Sequence, residues 1–122
     1  MELIKKQLYY LIPSLISLLH SFLPSILKPF LYALAGFQIK SSAFLSAKIK
    51  FLHVGRLQIG NNTMLNPDIL LDNRHGIKIG NNVSIARNCR LITLGHEINS
   101  ENFKPKGAEI VIDDYSVLFM GA

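Results

Sequence analysis

The chain has 122 residues, a length that accommodates one domain. It carries 13 basic and 8 acidic residues, for a formal net charge of +5, and 49% of its residues are hydrophobic. This hydrophobicity excludes intrinsic disorder, and the presence of a single cysteine excludes a disulfide scaffold.

The net excess of positive charge comes entirely from the N-terminal part of the chain. Residues 1–50 contain six lysines and one glutamate, whereas residues 51–122 contain seven basic and seven acidic residues. We therefore expect a surface or partner for the first part and a packed, neutral fold for the second. We expect no nucleic-acid binding, because the second part has no basic stripe interleaved with aromatic residues.

The N-terminal segment is strongly apolar. No Asp, Glu, Lys or Arg occurs over residues 7–27, a run long enough in principle to span a bilayer, but Pro13 and Pro24 interrupt it. Serines and Lys28 recur at intervals of three and four opposite a wide leucine-rich face. This spacing predicts one or two short amphipathic helices, broken near Pro24 or Pro29.

Three interpretations of residues 1–36 remain open. The segment could be a helical cap packed on its own domain or between subunits. It could lie in an anionic membrane surface, an interpretation supported by Lys5, Lys6 and Lys28 beside the apolar face. It could also be a signal peptide, because it has a basic start and an Ala-Leu-Ala string at 33–35, although Lys28 lies just ahead of that string.

A twenty-residue repeat begins at residue 37. Three consecutive segments align without a gap: FQIKSSAFLSAKIKFLHVGR, LQIGNNTMLNPDILLDNRHG and IKIGNNVSIARNCRLITLGH. Large apolar residues occupy the third, ninth and fifteenth positions: Ile39, Leu45 and Phe51, then Ile59, Leu65 and Leu71, then Ile79, Ile85 and Leu91. A six-residue period fits neither an amphipathic helix nor an alternating strand, and it favours a triangular solenoid over a sandwich. Asparagines that tolerate left-handed backbone conformations are predicted at its corners: Asn61, Asn62, Asn73, Asn81 and Asn82.

The phase of the repeat breaks after the third segment. Residues 97–109 are polar and are predicted to form an excursion loop, and loops on repeat scaffolds often carry function. The pattern resumes with Ile112 and Leu118 in the third and ninth positions of a fourth coil, which reaches its thirteenth position at Ala122. We therefore expect about three and a half coils from a longer, C-terminally continuing protein.

The strings IGNNTMLNPDIL, IGNNVSIARNCRLI and TLGHEI are similar to those of the hexapeptide-repeat acyltransferases, and within that family to the sugar O-acetyltransferases. The resemblance covers residues 37–122. It implies a mainly β fold, a left-handed parallel β-helix. The N-terminal segment at 1–36, which lies outside the resemblance, is predicted to be helical from its own spacing. The resemblance also implies a homotrimer with sites between subunits, acetyl-CoA as acyl donor, and a sugar or saccharide acceptor. Such an enzyme is expected in the cytoplasm, peripheral at the inner face of the plasma membrane if its helices bind lipid.

The same resemblance implies that His96 is the general base that removes a proton from the acceptor hydroxyl. Imidazole suits this role because it titrates near neutrality. His75 lies one coil earlier and could line the same cleft, or it could be a surface corner residue. No metal site is expected, because His75 and His96 are 21 residues apart and no close histidine pair occurs.

Asn66 falls where the resemblance implies an amide that contacts the acceptor sugar, although a corner asparagine before Pro67 would have the same appearance. Arg74 stands where related enzymes place an acidic acceptor contact, which suggests an acidic sugar or a phosphate as acceptor. Asp72 and Asn73 are adjacent and could substitute for the missing acid.

Met120, Gly121 and Ala122 match the start of the coil that helps to build the pantetheine groove in the family, and are predicted to contact acetyl-CoA. Cys89 is expected to be a buried thiol rather than a nucleophile. Two rival functions remain open: a catalytically inactive fragment or structural trimeric solenoid, and a membrane-associated subunit of a polysaccharide assembly complex.

Overall fold

The computed structural model describes residues 2–99 and 101–122. The described residues form a long N-terminal helix, a second short helix and many short strands. The helices are α1 (Glu2–Phe22), a 3-10 turn (Ser25–Leu27) and α2 (Lys28–Ala35). The strands are β1 (Gln38–Ile39), β2 (Phe44–Leu45), β3 (Ile49–Phe51), β4 (Leu57–Ile59), β5 (Met64–Leu65), β6 (Ile69–Asp72), β7 (Ile77–Ile79), β8 (Ser84–Ile85), β9 (Arg90–Ile92), β10 (Leu94–His96), β11 (Pro105–Gly107), β12 (Ile110–Ile112) and β13 (Val117–Leu118).

The break between the two helices lies where the prolines predict it. Helix α1 continues through Pro13 and ends two residues before Pro24. Pro29 stands in the first turn of α2, where a backbone N–H has no intrahelical partner to lose. Gly36 ends α2 in the left-handed conformation, with φ of 76°. The predicted break near Pro24 is therefore confirmed.

The strands stack in three parallel sheets that the chain visits in turn. The first sheet has the order β1-β4-β7-β12, the second β13-β8-β5-β2 and the third β3-β6-β9. Neighbouring strands pair in the register that the repeat predicts. The matched positions are Ile39 with Ile59 and Ile79, Leu45 with Leu65 and Ile85, Phe51 with Leu71 and Leu91, and, in the fourth coil, Ile112 with Ile79 and Leu118 with Ile85. This stacking is compatible with a parallel β-helix.

Three corners join the sheets. The first corner follows the first sheet (40–43, 60–63, 80–83 and 113–116), the second follows the second sheet (46–48, 66–68, 86–89 and 119–122), and the third follows the third sheet (52–56, 73–76 and 93–109). Asn62 and Asn82 at the first corner have φ of 53° and 56°, which confirms the predicted left-handed conformation there. Asn81 uses its side chain as well, because its Oδ1 accepts a hydrogen bond of 2.7 Å from the backbone N–H of Asn61.

The excursion after the third coil is more ordered than the predicted loop. Strands β10 and β11 pair antiparallel, with Leu94 opposite Gly107 and His96 opposite Pro105. The N–H of Ala108 then donates to the carbonyl of Thr93 at 3.0 Å, which ties the end of the excursion to the third corner. We call β10, β11 and their connection the hairpin. Within the predicted loop, Pro105–Gly107 therefore form a strand, whereas 97–99, 101–104 and 108–109 do not.

The anchors and the helices share one core. The anchor side chains are buried along the axis except for Ile39, Ile112 and Leu118, which are partly buried. Ile16, Leu31 and Ala35 from the helices join this core. Phe51 is 1% exposed, and its ring centroid lies 4.8 Å from that of Phe37 and 5.4 Å from that of His20. Helices α1 and α2 thus cover the first coil. No helix in the described part of the chain is long and apolar enough to cross a membrane.

Candidate functional site

The predicted site residues fall at two different corners. Arg74, His75 and His96 lie at the third corner, together with the hairpin. Asn66 and the 120–122 segment lie at the second corner. Within one chain the third sheet separates these two groups.

His96 ends β10 and is exposed. Its Nδ1 lies 2.8 Å from the carbonyl oxygen of Phe103, on the opposite side of the hairpin. A carbonyl oxygen only accepts, so Nδ1 must carry the proton in this contact, and the neutral ring then has its lone pair on Nε2. The hairpin is closed beside it by a 2.7 Å bond from the N–H of Glu97 to the carbonyl of Lys104. The ring is therefore oriented as a proton acceptor.

His75 packs against the base of the hairpin. A Cβ built on Gly107 would lie 2.5 Å from Cδ2 of His75 and 2.7 Å from the carbonyl oxygen of Thr93, so only glycine permits this approach. Gly107 pairs with Leu94, two residues before His96. The structure therefore places His75 and His96 on the same hairpin-bearing corner.

Asp72 is fully buried and supports this corner from below. Its carboxylate accepts two hydrogen bonds from the Arg74 guanidinium, at 2.7 and 2.8 Å, and a third from the backbone N–H of Leu94 at 3.3 Å. Burial acts to raise the pKa of the Asp72 carboxyl, but the hydrogen bonds and charge of Arg74 outweigh it and lower that pKa below its ordinary value. The Asp72 side chain of the pair is fully buried, whereas the side chain of Arg74 remains 26% exposed at the corner.

Asn73 is buried as well, and its amide is saturated by the preceding coil. Its Oδ1 accepts from the N–H groups of Leu52 and His53, and its Nδ2 donates to the carbonyls of His53 and Gly55. The side chains of Asp72 and Asn73 therefore point inward, and neither is open to an acceptor sugar, contrary to the expectation that they could substitute for the missing acid. Both hold the backbone from which Arg74 and His75 extend.

Thr93 begins the TLGHEI string and supports this corner, a role that the sequence motif does not assign to it. It is 4% exposed, and its hydroxyl donates to the carbonyl of Asp72 at 2.6 Å and accepts from the N–H of His75 at 3.1 Å. A signal for it is present, because the seventeenth position of the three aligned segments is always polar: His53, Asn73 and Thr93. Asn73 and Thr93 in this column bond to the backbone of the preceding coil, whereas the ring of His53 contacts the carbonyl of Val54.

Asn66 is half-buried at the second corner. Its Nδ2 donates to the carbonyl of Ile85 at 2.9 Å, and its backbone N–H donates to the same oxygen at 3.0 Å. Asn66 therefore has a structural task in joining the second and third coils. These bonds fix the position of its side-chain carbonyl at the corner.

The 120–122 segment lies two coils beyond Asn66 at the same corner. The N–H of Gly121 donates to the carbonyl of Arg87 at 3.3 Å, and that of Ala122 donates to the carbonyl of Phe119 at 3.1 Å. The first bond joins the fourth coil to the third, and the second lies within the fourth coil. The side chain of Met120 is 68% exposed.

An open groove of about 410 Å³ runs along the hairpin and is lined by Thr93, Leu94, Gly95, Lys106 and Gly107 among others. Within residues 2–99 and 101–122, no cluster of three or more histidines, cysteines and acids could hold a metal ion. Cys89, the single cysteine, is buried as predicted.

Comparisons with known proteins found no relative of this chain. No protein-family model matches the sequence, no curated protein matches it, and no solved structure matches its fold. The site geometry and the sequence motifs are therefore the only basis for assigning a function.

Proposed function

We propose that the chain is an acetyl-CoA-dependent O-acetyltransferase of the hexapeptide-repeat type, built on a left-handed parallel β-helix, that modifies a hydroxyl of a sugar or saccharide. The observation that carries this proposal is the exposed His96, whose Nδ1–H is held by the carbonyl of Phe103 so that Nε2 is free to accept a proton. The twenty-residue register and the TLGHEI string support it.

The chemistry assigned to His96 is general acid–base catalysis. Nε2 takes the proton of the acceptor hydroxyl as that oxygen attacks the thioester carbonyl and forms the new C–O bond. The C–S bond then breaks, and the His96 imidazolium returns the proton to the departing thiolate. The carbonyl of Phe103 contributes by fixing the tautomer and stabilising the imidazolium that forms.

The active unit in this proposal is a homotrimer. His96 and His75 stand at the third corner, whereas Asn66 and Met120 stand at the second. A neighbouring chain that placed its second corner against the third corner would bring the two groups into one cleft. The site is therefore incomplete within one chain and requires an adjacent copy.

The test is transfer of the acetyl group from acetyl-CoA to a panel of sugars, measured as acceptor-dependent thiol release. His96→Ala should lower kcat/KM by about 10²- to 10⁴-fold, the range for general-base catalysis. The matched control is His53→Ala. His53 lies at the same corner as His96 but outside the hairpin, so its removal should leave transfer unchanged. A His96→Ala variant within tenfold of the parent would refute the assignment, and release without any acceptor dependence would favour a solenoid without this activity.

The same variant tests the shared site. Preparations of His96→Ala and Asn66→Ala, each impaired alone, are unfolded together and refolded at equal concentration. If each site forms between two chains, random mixing pairs an intact His96 with an intact Asn66 in about a quarter of the sites. The mixture should therefore recover up to about a quarter of the parent activity. Activity that stays at the level of the two separate variants would place both residues in one chain's site.

A further inference from the structure

Helix α1 packs on the protein with the face that carries Ser17 and not with its leucine-rich face. The buried residues of α1 are Pro13, Ile16 and His20. The hydroxyl of Ser17, on the serine seam, accepts a hydrogen bond of 2.9 Å from the N–H of Phe51. The leucine-rich face consequently points away from the core.

This outward face forms a continuous apolar stripe. Its residues follow one another at intervals of four and three along the helix and are between 45% and 80% exposed: Ile4, Leu8, Leu11, Leu15, Leu18 and Phe22. Beyond α1, the 3-10 turn and α2 expose three more large apolar residues: Ile26, Phe30 and Leu34, at 79%, 69% and 87%. An apolar surface of this extent marks a docking site, because monomeric proteins seldom expose so large a contiguous patch.

The charge around this face indicates its partner. No acidic residue occurs between Glu2 and Asp68. The same stretch exposes a set of lysines on α1 and on the coil that the helices cover: Lys5, Lys6, Lys40, Lys48 and Lys50. A second copy of this chain would oppose these cations with the same cations, whereas an anionic lipid surface would be attracted to them.

We propose that the outward face of α1 and α2 docks in the plane of an anionic phospholipid membrane. The apolar side chains enter the boundary between headgroups and acyl chains, and the lysines meet the phosphate groups. Because the inner face of α1 is packed on Phe51 and Tyr32, the helix lies along the surface with the coils above it. This docking does not depend on acetyl transfer.

Depth of insertion can be measured with a tryptophan reporter, because the chain contains no tryptophan. Leu18→Trp places the reporter at the centre of the stripe, and Ile98→Trp places a control on the hairpin, where the parent side chain is 95% exposed. With phosphatidylglycerol vesicles, Leu18→Trp emission should shift to the blue and be quenched by brominated acyl chains. Ile98→Trp emission should not change. Unchanged Leu18→Trp emission with these vesicles would overturn the proposal.

The contribution of the lysines to membrane binding can be measured separately. Lys5→Gln with Lys6→Gln should weaken partition onto phosphatidylglycerol vesicles about 30-fold, which corresponds to about 1 kcal/mol per lysine near an anionic surface. The control removes two exposed arginines from the third coil, Arg87→Gln with Arg90→Gln, and should change partition much less. Equal binding of the parent to phosphatidylcholine and phosphatidylglycerol vesicles would overturn the requirement for anionic lipid.

The outward face could instead bind a second copy of this chain. Sedimentation in the absence of lipid distinguishes such self-association from membrane docking. Leu11→Glu with Leu15→Glu should abolish vesicle flotation and leave the parent's oligomeric state unchanged. Both positions are about half exposed, so the fold should tolerate the change, and circular dichroism checks that it does. Dissociation of an oligomer by these substitutions would assign the face to a neighbouring chain and overturn membrane docking.

Discussion

His20 is a fully buried histidine that the fold keeps uncharged. Its Nε2 lies 2.8 Å from the hydroxyl of Tyr32, and its Nδ1 has no hydrogen-bond partner within the described residues. Burial, and secondly the positive charge of Lys28, lower the pKa of His20 from its ordinary value of 6.5 to about 4. Protonating this ring therefore costs the folded state more than the unfolded state.

This shift predicts an acid-dependent loss of stability. Between pH 6.5 and 4 the unfolded chain binds a proton that the folded chain does not, so the free energy of unfolding should fall as the pH falls through this window. The full loss is about 3 kcal/mol. Urea unfolding at a series of pH values measures it, and the double variant His20→Phe with Tyr32→Phe should flatten the slope.

Asp72 can be distinguished from His20 as a source of acid sensitivity, because the two groups change stability over different pH ranges. The pKa of its carboxyl is lowered, so its stabilising contribution is complete above its ordinary value of 3.8 and is lost only as the pH falls below that value. An undiminished slope between pH 6.5 and 4 in the double variant would show that His20 is not its source.

At the scale of an element, the position of the hairpin depends on Gly107. Alanine there would place a methyl group 2.5 Å from the His75 ring and 2.7 Å from a backbone oxygen of Thr93. We expect Gly107→Ala to push β11 off the third corner, with a loss of roughly 1 to 3 kcal/mol as in other overpacked sites, and to lower acetyl transfer.

Gly95 offers a matched control in the same hairpin, since a Cβ built there meets nothing within 4 Å. Hydrogen exchange of β10 and β11, followed by mass spectrometry, should become faster in Gly107→Ala and stay unchanged in Gly95→Ala. Equal exchange in the two variants would contradict the packing argument.

The strands and the helices differ in how far the sequence predicts them. The coil register follows from Ile59, Leu65 and Leu71 and their equivalents, because each anchor stacks on the residue twenty positions away. The inward face of α1 does not follow from the sequence. The spacing of serines and leucines separates two faces of the helix, but it does not say which one is covered. The tertiary structure decides this, because the first coil and α2 offer an N–H at Phe51 and a hydroxyl at Tyr32, which require polar partners.

The candidate site shows the same division. Motif and register are sufficient to predict that His96 stands at the corner where the excursion begins. The inward orientation of Asp72 and Asn73 depends on bonds to backbone groups of neighbouring coils, which a single sequence does not display. The polar column that ends at Thr93 is the one part of this network that the repeat alignment indicates.

For the whole molecule, the two faces of the helices have different roles. Their inner face completes the hydrophobic core over Phe37 and Phe51, and their outer face is the proposed membrane surface. Removing the segment would therefore change the stability of the coils together with lipid binding. Point substitutions on the outer face are the variants that separate these two effects.

This dual role predicts that deletion of residues 2–36 destabilises the coils themselves. Re-exposing Phe37 and Phe51 costs about 2 to 3 kcal/mol each, a large share of the roughly 5 to 15 kcal/mol by which typical domains are stable. The deletion variant should melt at a lower temperature and bind a hydrophobic dye, whereas Leu11→Glu with Leu15→Glu should do neither. If the deletion variant kept the parent's melting temperature without binding dye, the helices would not be part of the core, and the coils would be stable without their cover.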